Sequence, residues 1–341
     1  MSELRWRLAD DDGGQGALFE QEVERHIGRG EFRGLEFLHV RARRVINEVP
    51  KASRMPFRWT INAYRGCSHA CVFCFARPTH EYLGMNAGDD FDRKIVVKIN
   101  AVERVRAELA PARWGGDHIA MGTNTDPYQR CEGKYRLTQG IVGELSAAAN
   151  PFSILTKSTL ILRDLDLLAE AARRTDVRAN FSIGTLDEDV WRMTEPGTPH
   201  PRRRVEAVAR LNEAGVPCGV LVAPVLPGLS DGPGQLEEVV EACVGAGAVS
   251  ITPLLLHLRP GVREHYLRWL AGARPDLLER YAGLYPRAYA PPKTQDELGE
   301  TVRGLVTRHG GRSAGPRQTR SVAAKPPAPA APDVTQLQLG V

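Results

Sequence analysis

The feature that most constrains the fold of this chain is a repeated alternation of short β-type runs with amphipathic helical patterns. Apolar and β-branched runs predict strands at 58–64, 117–123, 152–157, 178–184, 217–224 and 248–254. The spacing of apolar residues predicts helices between them, at 101–110, 138–149, 163–174, 201–214 and 234–245. Strands that alternate with helices in this way are typical of parallel βα units.

Six such units are too few to close an eight-stranded barrel, but they suffice for an open three-quarter barrel. We therefore predict an α/β fold, a partial (β/α)6 TIM-like barrel, with its active site at the carboxyl ends of the strands. A doubly wound open sheet is the alternative that periodicity leaves open.

The chain divides into four predicted segments. Residues 1–50 lack a strong hydrophobic period and are expected to form a partly ordered lead-in to a core domain at 51–260. Helical patterns at 261–310 predict a C-terminal helical extension. Residues 311–341 are rich in Pro and Ala and hold few large apolar side chains, a composition typical of a flexible tether.

No targeting or membrane segment is expected. The sequence has no run of about 20 apolar residues, and it begins MSELRWRLADDDGG, which is charged where a signal peptide would be apolar. We therefore expect a cytoplasmic protein with no membrane partner. Disulfides are rare in that compartment, so the six cysteines are expected to be free. The net charge of +4 identifies no partner by itself.

Three cysteines, Cys67, Cys71 and Cys74, form a C-x3-C-x2-C pattern in YRGCSHACVFCFARP, directly after the first predicted strand. Thiolates this close in sequence can converge on one metal centre, and three protein ligands leave one coordination position open for chemistry. Two alternatives remain: a zinc site that recruits His69 or His80 as its fourth ligand, and three unrelated core thiols.

The pattern C-x3-C-x-aromatic-C, with Phe73 as the aromatic residue, resembles the cluster motif of the radical S-adenosylmethionine (SAM) superfamily. More narrowly, INAYRGCSHACVFCFARPTHEY, GTNTDPYQ, ILTKST and APVLPGL resemble the branch of spore photoproduct lyase, also described as DNA repair photolyase-like. The resemblance covers residues 55–260.

This resemblance implies a barrel of the radical SAM type, with a [4Fe-4S] cluster on Cys67, Cys71 and Cys74 and SAM as the second cofactor. An external electron donor, such as flavodoxin or ferredoxin, would reduce the cluster. The reduced cluster would cleave SAM to methionine and a 5′-deoxyadenosyl radical, which abstracts hydrogen from the substrate.

The resemblance also implies which residues hold SAM. Phe73 would lie near the adenine, with ordinary core packing as the alternative. Thr123, Asn124 and Thr125 occupy the turn that holds the SAM amino group in the superfamily. Asp126 would accept a hydrogen bond from the same ammonium or from the substrate, although an Asp-Pro pair is also a common turn.

Lys157, which ends the third predicted strand, and Ser182, in the fourth, correspond to residues that bind the SAM carboxylate in related enzymes. A lysine at the end of an apolar strand supports this assignment, because a hydrogen bond to a charged group contributes about 1.5–3 kcal/mol. A solvent-facing Lys157 is the alternative.

The substrate is less constrained. Spore photoproduct lyase uses a further cysteine as hydrogen donor near the end of the second strand, but the nearest thiol here, Cys131, lies several residues too late. It is interpreted, like Cys218 and Cys243, as a small buried hydrophobic residue. A radical reaction on DNA, RNA or a smaller substrate stays open. A base in a duplex would have to be flipped out, and basic residues including Arg202 to Arg204 would then contact phosphates.

The last six residues, QLQLGV at 336–341, resemble the short motif by which bacterial repair and replication proteins bind the sliding clamp. Apolar anchors on a tether could insert into a pocket of that partner, through Gln336, Leu337, Leu339 and Val341.

A competing function is a nucleic-acid-binding protein with a structural zinc or a closed iron–sulfur cluster. That function would require a fourth protein ligand, and the sequence has no fourth cysteine near the motif.

Overall fold

The computed structural model describes residues 23–50, 53, 55–110 and 114–311. The predicted tail, with its clamp-binding motif at 336–341, lies outside the described residues from 312 onward. The strands of the described part are β1 (Glu24–Ile27), β2 (Glu36–Val40), β3 (Ile46–Glu48), β4 (Trp59–Ile61), β5 (Tyr64–Arg65), β6 (Lys94–Lys98), β7 (Ile119–Met121), β8 (Phe152–Thr156), β9 (Val177–Ser182), β10 (Cys218–Val225) and β11 (Ile251–Leu255).

A seven-stranded sheet forms the centre of the fold. Its strands β4, β7, β8, β9, β10 and β11 are parallel and lie side by side in the order in which the chain forms them. β3 adds an antiparallel strand next to β4. A doubly wound sheet would reverse its strand order at a switch point, and this sheet does not. The predicted partial barrel is therefore confirmed, and each predicted strand overlaps one of its parallel strands.

Helices connect the parallel strands and continue beyond the last one. They are α1 (Asp89–Arg93), α2 (Ala101–Leu109), α3 (Glu132–Tyr135), α4 (Leu137–Ala147), α5 (Leu165–Arg174), α6 (Glu188–Thr194), α7 (Pro201–Glu213), α8 (Pro233–Gly245), α9 (Val262–Ala273), α10 (Leu278–Leu284) and α11 (Pro292–Arg308). The last three confirm the predicted helical C-terminus, and α11 packs on α8 and β11. Among the described residues, none of the helices is both long and apolar enough to cross a membrane.

The core lies between the sheet and these helices. All three residues of β7 are buried, as expected for a strand covered on both faces. α8 buries Leu236, Val239, Val240 and Cys243, which share one face because they recur at helical spacing. Cys131, Cys218 and Cys243 are all 0% exposed, in agreement with their interpretation as buried hydrophobic residues.

A second, four-stranded sheet in the order β1-β2-β6-β5 lies outside the barrel, and the sequence did not predict it. Its strands are short, and β1 reads ERHI with mostly exposed side chains, so no apolar period marks it. The first predicted strand, 58–64, is in fact two strands: β4 belongs to the barrel sheet and β5 to the second sheet. The chain thus passes from one sheet to the other just before the cysteine motif.

Candidate active site

The cysteine loop begins with a tight turn after β5. Gly66 has φ +78°, and a Cβ at this position would lie 2.8 Å from the Phe91 carbonyl oxygen and 2.9 Å from the Lys94 carbonyl oxygen. Only glycine therefore suits the turn. The amide of Cys67 then donates to the Phe91 carbonyl at 2.9 Å, so the loop is fixed from its first cysteine onward.

The three thiols of the loop are poorly accessible to water. Cys67 and Cys71 are each 7% exposed, and Cys74 is partly buried. Burial raises the pKa of all three thiols, and repulsion between ionised sulfurs raises it further for Cys67 and Cys71. Thiolates at this site therefore require a positively charged partner. A cluster held by three thiolates supplies that charge, so the donor set fits the [4Fe-4S] group.

A compact zinc site fits less well. Among the described residues, no group of three Cys, His, Asp or Glu donor atoms within 4.8 Å of one another includes a loop cysteine. Zn–S bonds of about 2.3 Å would place tetrahedral ligand sulfurs about 3.8 Å apart. The proposed fourth ligands also have other partners: His69 Nδ1 lies 3.3 Å from Asp126 Oδ2, and His80 Nε2 lies 2.9 Å from the Lys94 carbonyl oxygen.

The predicted SAM turn is held by the end of β4. Asn62 Nδ2 donates to Thr123 Oγ1 at 3.1 Å, and Asn62 Oδ1 accepts from the Asn124 amide at 3.1 Å. Gly122, with φ +90°, starts the turn, and a Cβ there would lie 2.0 Å from the Leu155 carbonyl oxygen. The turn therefore lies directly against β8. Sequence reasoning missed Asn62, although its place at the end of the first strand was a signal.

The same turn holds the cysteine loop. Thr125 Oγ1 donates to the Gly66 carbonyl at 2.6 Å, and Gln129 Nε2 donates to the same oxygen at 2.9 Å. Gln129 Oε1 accepts from the Ser68 amide at 3.0 Å. The residues on both sides of the first cysteine are thus fixed by the turn. Gln129 was not identified from the sequence, although it belongs to GTNTDPYQ.

Asp126 is engaged within the protein on both of its oxygens. Oδ1 accepts from Thr156 Oγ1 at 2.7 Å and from the Tyr128 amide at 2.9 Å, and Oδ2 accepts from the Lys157 amide at 2.7 Å. Burial acts to raise its pKa, but His69, the Lys157 amide and the Thr156 hydroxyl hold the pKa below the usual value. Asp126 ties the turn to β8 and to the cysteine loop. A direct contact with SAM or substrate stays a prediction.

Lys157 and Ser182 lie together in a buried polar cluster. Lys157 Nζ donates to Ser182 Oγ at 2.8 Å and to Glu195 Oε1 at 2.7 Å, and it lies 5.4 Å from the centre of the Phe73 ring. Arg204 completes the cluster, with Nη1 2.6 Å from Glu195 Oε2. The Lys157 side chain is only 13% exposed, so the solvent-facing alternative does not hold.

The charges of this cluster do not cancel. Burial opposes ionisation of Glu195, but Arg204 and Lys157 hold its pKa at about 2. Two cations and one carboxylate leave one positive charge in excess. The Lys157 ammonium also points at the Ala223 carbonyl oxygen, at 3.5 Å, which is long for a hydrogen bond. An anionic ligand could replace that weak contact.

The phosphate-binding role predicted for Arg202 to Arg204 is wrong for Arg204 and stays a prediction for the other two. Arg204 is 1% exposed and donates from Nε to the Pro199 carbonyl at 2.9 Å. Arg202 and Arg203 are exposed, and Arg202 is ion-paired with Glu238 at 2.5 Å. Because a helix turns about 100° per residue, three consecutive arginines in α7 cannot share one face.

Arg77 holds the backbone of the loop at its second cysteine. It is 0% exposed, and its Nε and Nη2 donate to the Cys71 carbonyl at 3.2 and 2.9 Å. Its Nη2 also donates to both carboxylate oxygens of Asp92, at 2.9 and 3.0 Å. A single guanidinium thus fixes the loop backbone, a role that sequence reasoning did not assign.

The segment 194–198, TEPGT, packs against the backbone of the cysteine loop. The Thr194 carbonyl accepts from the Val72 amide at 3.0 Å, and the Gly197 amide donates to the His69 carbonyl at 3.0 Å. A Cβ at Gly197 would lie 2.8 Å from His69 Cα and 2.2 Å from the Ser68 carbonyl oxygen. The segment that carries Glu195 is therefore fixed to the loop.

We expect Gly197→Ala to destabilise the protein by about 1–3 kcal/mol, because rigid backbone atoms must move to admit the methyl group. Urea unfolding would measure the change. Gly143→Ala is a matched control, since nothing lies within 4 Å of a Cβ at this position inside α4. It should be neutral, or stabilising by up to about 1 kcal/mol. Equal unfolding free energies for the two variants would contradict the close approach.

The comparisons with known proteins agree with this site. The family model of the radical SAM superfamily matches residues 61–243, and the chain belongs to that superfamily. The predicted resemblance is thereby confirmed. Family membership implies a [4Fe-4S] cluster and SAM as cofactors.

Related sequences and structures extend this finding. An uncharacterized protein of Mycobacterium tuberculosis is 45% identical over 300 residues, which cover 88% of each chain. An uncharacterized protein of Acidianus two-tailed virus is 30% identical over 258 residues, covering 74% of this chain and 80% of the viral one. Spore photoproduct lyase complexed with dinucleoside spore photoproduct has the same fold, with a TM-score of 0.58, 18% identity and coverage of 81% of this chain and 80% of the lyase.

Proposed function

We propose that this protein cleaves SAM reductively at a [4Fe-4S] cluster bound by Cys67, Cys71 and Cys74, and that it abstracts hydrogen from a nucleic-acid base. The observation that carries the proposal is one connected site. The three largely buried thiols share a loop whose backbone is hydrogen-bonded to the turn at 123–129. The Lys157–Ser182 pair adjoins that turn.

Each group of residues would have a separate task. The three thiolates would hold three irons and leave the fourth for the amino and carboxylate groups of SAM. When bound, the reduced cluster supplies the electron that breaks a carbon–sulfur bond of SAM and yields the 5′-deoxyadenosyl radical. Lys157 and Ser182 would orient the SAM carboxylate, and the positive charge in excess around Glu195 favours that anion.

The turn would hold the other end of the amino-acid part. Oxygen atoms of Thr123, Asn124 and Thr125 would accept hydrogen bonds from the SAM ammonium, and Asp126 adds a negative charge next to them. Phe73 lies against the Lys157 ammonium and would cover the adenine, excluding water from the radical. A small redox protein such as flavodoxin or ferredoxin would deliver the electron.

Two observations support a nucleic-acid substrate. A lyase of the same fold has been solved with AdoMet and a dinucleoside spore photoproduct bound, with a TM-score of 0.57 and 17% identity. In this chain, Phe75 follows the third cysteine directly and is 51% exposed, and Tyr82 is 66% exposed. Exposed aromatic rings can stack on an unpaired base, and Phe75 is the chain neighbour of the cluster ligand Cys74. Cys131 is 0% exposed, and the proposal gives it no role as hydrogen donor.

The test is anaerobic SAM cleavage by cluster-reconstituted protein with a strong reductant, with 5′-deoxyadenosine as the measured product. We expect product without nucleic acid, and faster formation with ultraviolet-irradiated DNA than with undamaged DNA or RNA. DNA that is deuterated in its bases should transfer deuterium into 5′-deoxyadenosine.

The outcomes separate the two parts of the proposal. If 5′-deoxyadenosine forms but no nucleic acid speeds its formation or transfers deuterium to it, the radical cleavage of SAM is supported and a nucleic-acid base is excluded as the substrate. No product from protein with an intact cluster would overturn the proposal as a whole. It would then favour a nucleic-acid-binding protein with a structural metal.

A further inference from the structure

A group of side chains of the metal-ligating type lies at the β1 edge of the outer sheet, whose opposite edge strand, β5, leads into the cysteine motif. It consists of Glu24 and His26 in β1 and His39 in β2. All three residues precede residue 61, where the match to the radical SAM family model begins. Their role is therefore a separate question from the function proposed above.

The strand register places the three side chains on one face. Glu24 and His26 are two residues apart in β1, so they project to the same side of the strand. His39 is the cross-strand partner of Glu24 in the antiparallel pair of β1 and β2. The two imidazole rings consequently lie together, with centroids 4.0 Å apart.

The donor atoms converge on one point. His26 Nε2 lies 3.5 Å from Glu24 Oε2, and His39 Nδ1 lies 3.9 Å from the same oxygen. One ligand atom from each residue lies within 4.8 Å of the other two. A tetrahedral ion with bonds of about 2.0–2.1 Å would need donors about 3.4 Å apart, which small side-chain rotations supply.

Two further features distinguish this cluster from an ordinary surface group. His26 Nε2 is buried and has no hydrogen-bond partner in the described structure, so this nitrogen is open to a ligand. His39 Nε2 lies 2.8 Å from Tyr135 Oη. A hydrogen bond on the far ring nitrogen is the usual support of a metal-bound histidine, because it fixes the tautomer and the ring orientation. His39 Nδ1 is thereby left for the metal.

We propose that Glu24, His26 and His39 bind a divalent transition-metal ion of the zinc type, with water in the fourth position. Two imidazoles and one carboxylate are a ligand set that zinc uses. β1 pairs with β2 alone in the sheet. The ion would therefore join this edge strand to β2 and, through Tyr135, to α3, which follows the SAM turn in the chain.

Zinc binding by the full-length, cluster-reconstituted protein tests the site. After incubation with zinc chloride and desalting over a weak chelator, elemental analysis should find about one zinc per chain with the iron content unchanged. His26→Ala and His39→Ala should lose that zinc and keep the iron. Tyr135→Phe keeps the ring but removes the supporting hydroxyl, and should weaken zinc binding about 10- to 100-fold.

His309→Ala is the matched control, because His309 pairs at 3.1 Å with a single carboxylate, Glu237, on another surface. It should bind zinc like the wild type. Zinc that is equally retained by His39→Ala, or that enters only as iron is lost, would overturn the proposal. X-ray absorption at the zinc edge of the wild-type protein identifies the zinc ligands even if a variant fails to fold. Nitrogen and oxygen ligands alone support the site, and sulfur ligands place the zinc in the cysteine loop.

Discussion

Cys71→Ala should reduce SAM cleavage to the level of an assay without protein. The substitution removes one of three ligands that the loop offers, and a cluster held by two thiolates exposes two irons to loss. Anaerobic reconstitution followed by iron and sulfide analysis should show less bound iron, and chromatographic assay should show no 5′-deoxyadenosine.

Cys243→Ala is the control for this substitution. Cys243 is also buried, but it belongs to the apolar face of α8 and is far from the motif in the chain. It should retain both the cluster and the activity, apart from a loss of stability typical of a small core truncation. Full iron content and turnover in Cys71→Ala would contradict the assignment of the cluster ligands.

Glu195→Ala should destabilise the folded protein by about 3–5 kcal/mol, because it leaves the buried Lys157 and Arg204 without their shared counter-ion. Urea unfolding measures the loss. Glu238→Ala breaks an exposed pair with Arg202 and should cost at most about 1 kcal/mol. Similar losses from the two substitutions would show that burial does not set the energy of the Glu195 cluster.

Glu195 should also make stability depend on acid pH. Its pKa is about 2 in the folded protein, well below the ordinary glutamate pKa of about 4.5. The folded state therefore favours the carboxylate. This contribution, on the order of 3 kcal/mol, is complete above the unfolded pKa and is lost as the pH falls toward the folded pKa. The difference in unfolding free energy between wild type and Glu195→Gln should shrink from pH 5 to pH 2. A constant difference would contradict the shifted pKa.

The barrel could be predicted from the sequence because its signals are local. Each parallel strand is an apolar run, and each helix repeats its apolar residues at helical spacing. The outer sheet could not be predicted in this way. In this sheet, β1 pairs only with β2, and β2 pairs in turn with β6, which lies more than fifty residues further along the chain. Charged and histidine side chains hide its pattern.

In the candidate site, too, only the residues with a local sequence signal could be predicted. The cysteine motif is contiguous, so its ligands could be named from the sequence. Lys157 and Ser182 were assigned by resemblance, and the structure brings them to 2.8 Å. Glu195 was missed and Arg204 was given a surface role, because the importance of both comes from burial beside Lys157, and burial is a property of the fold. Nothing in TEPGTPHPRRR separates the one buried arginine from its exposed neighbours.

The two sheets also set a lower limit on the length of a fragment that can fold alone. The region shared across the superfamily starts at residue 61, but β3 and β2 lie before it and cover the edges of β4 and β6. A fragment that began at residue 61 would expose the backbone of β6, whose Ile95, Val96 and Val97 are 0% exposed in the whole chain. Uncovered apolar edges of this kind pair with other chains. We therefore expect the autonomous folding unit to begin before β2, well upstream of residue 61, where the family match starts.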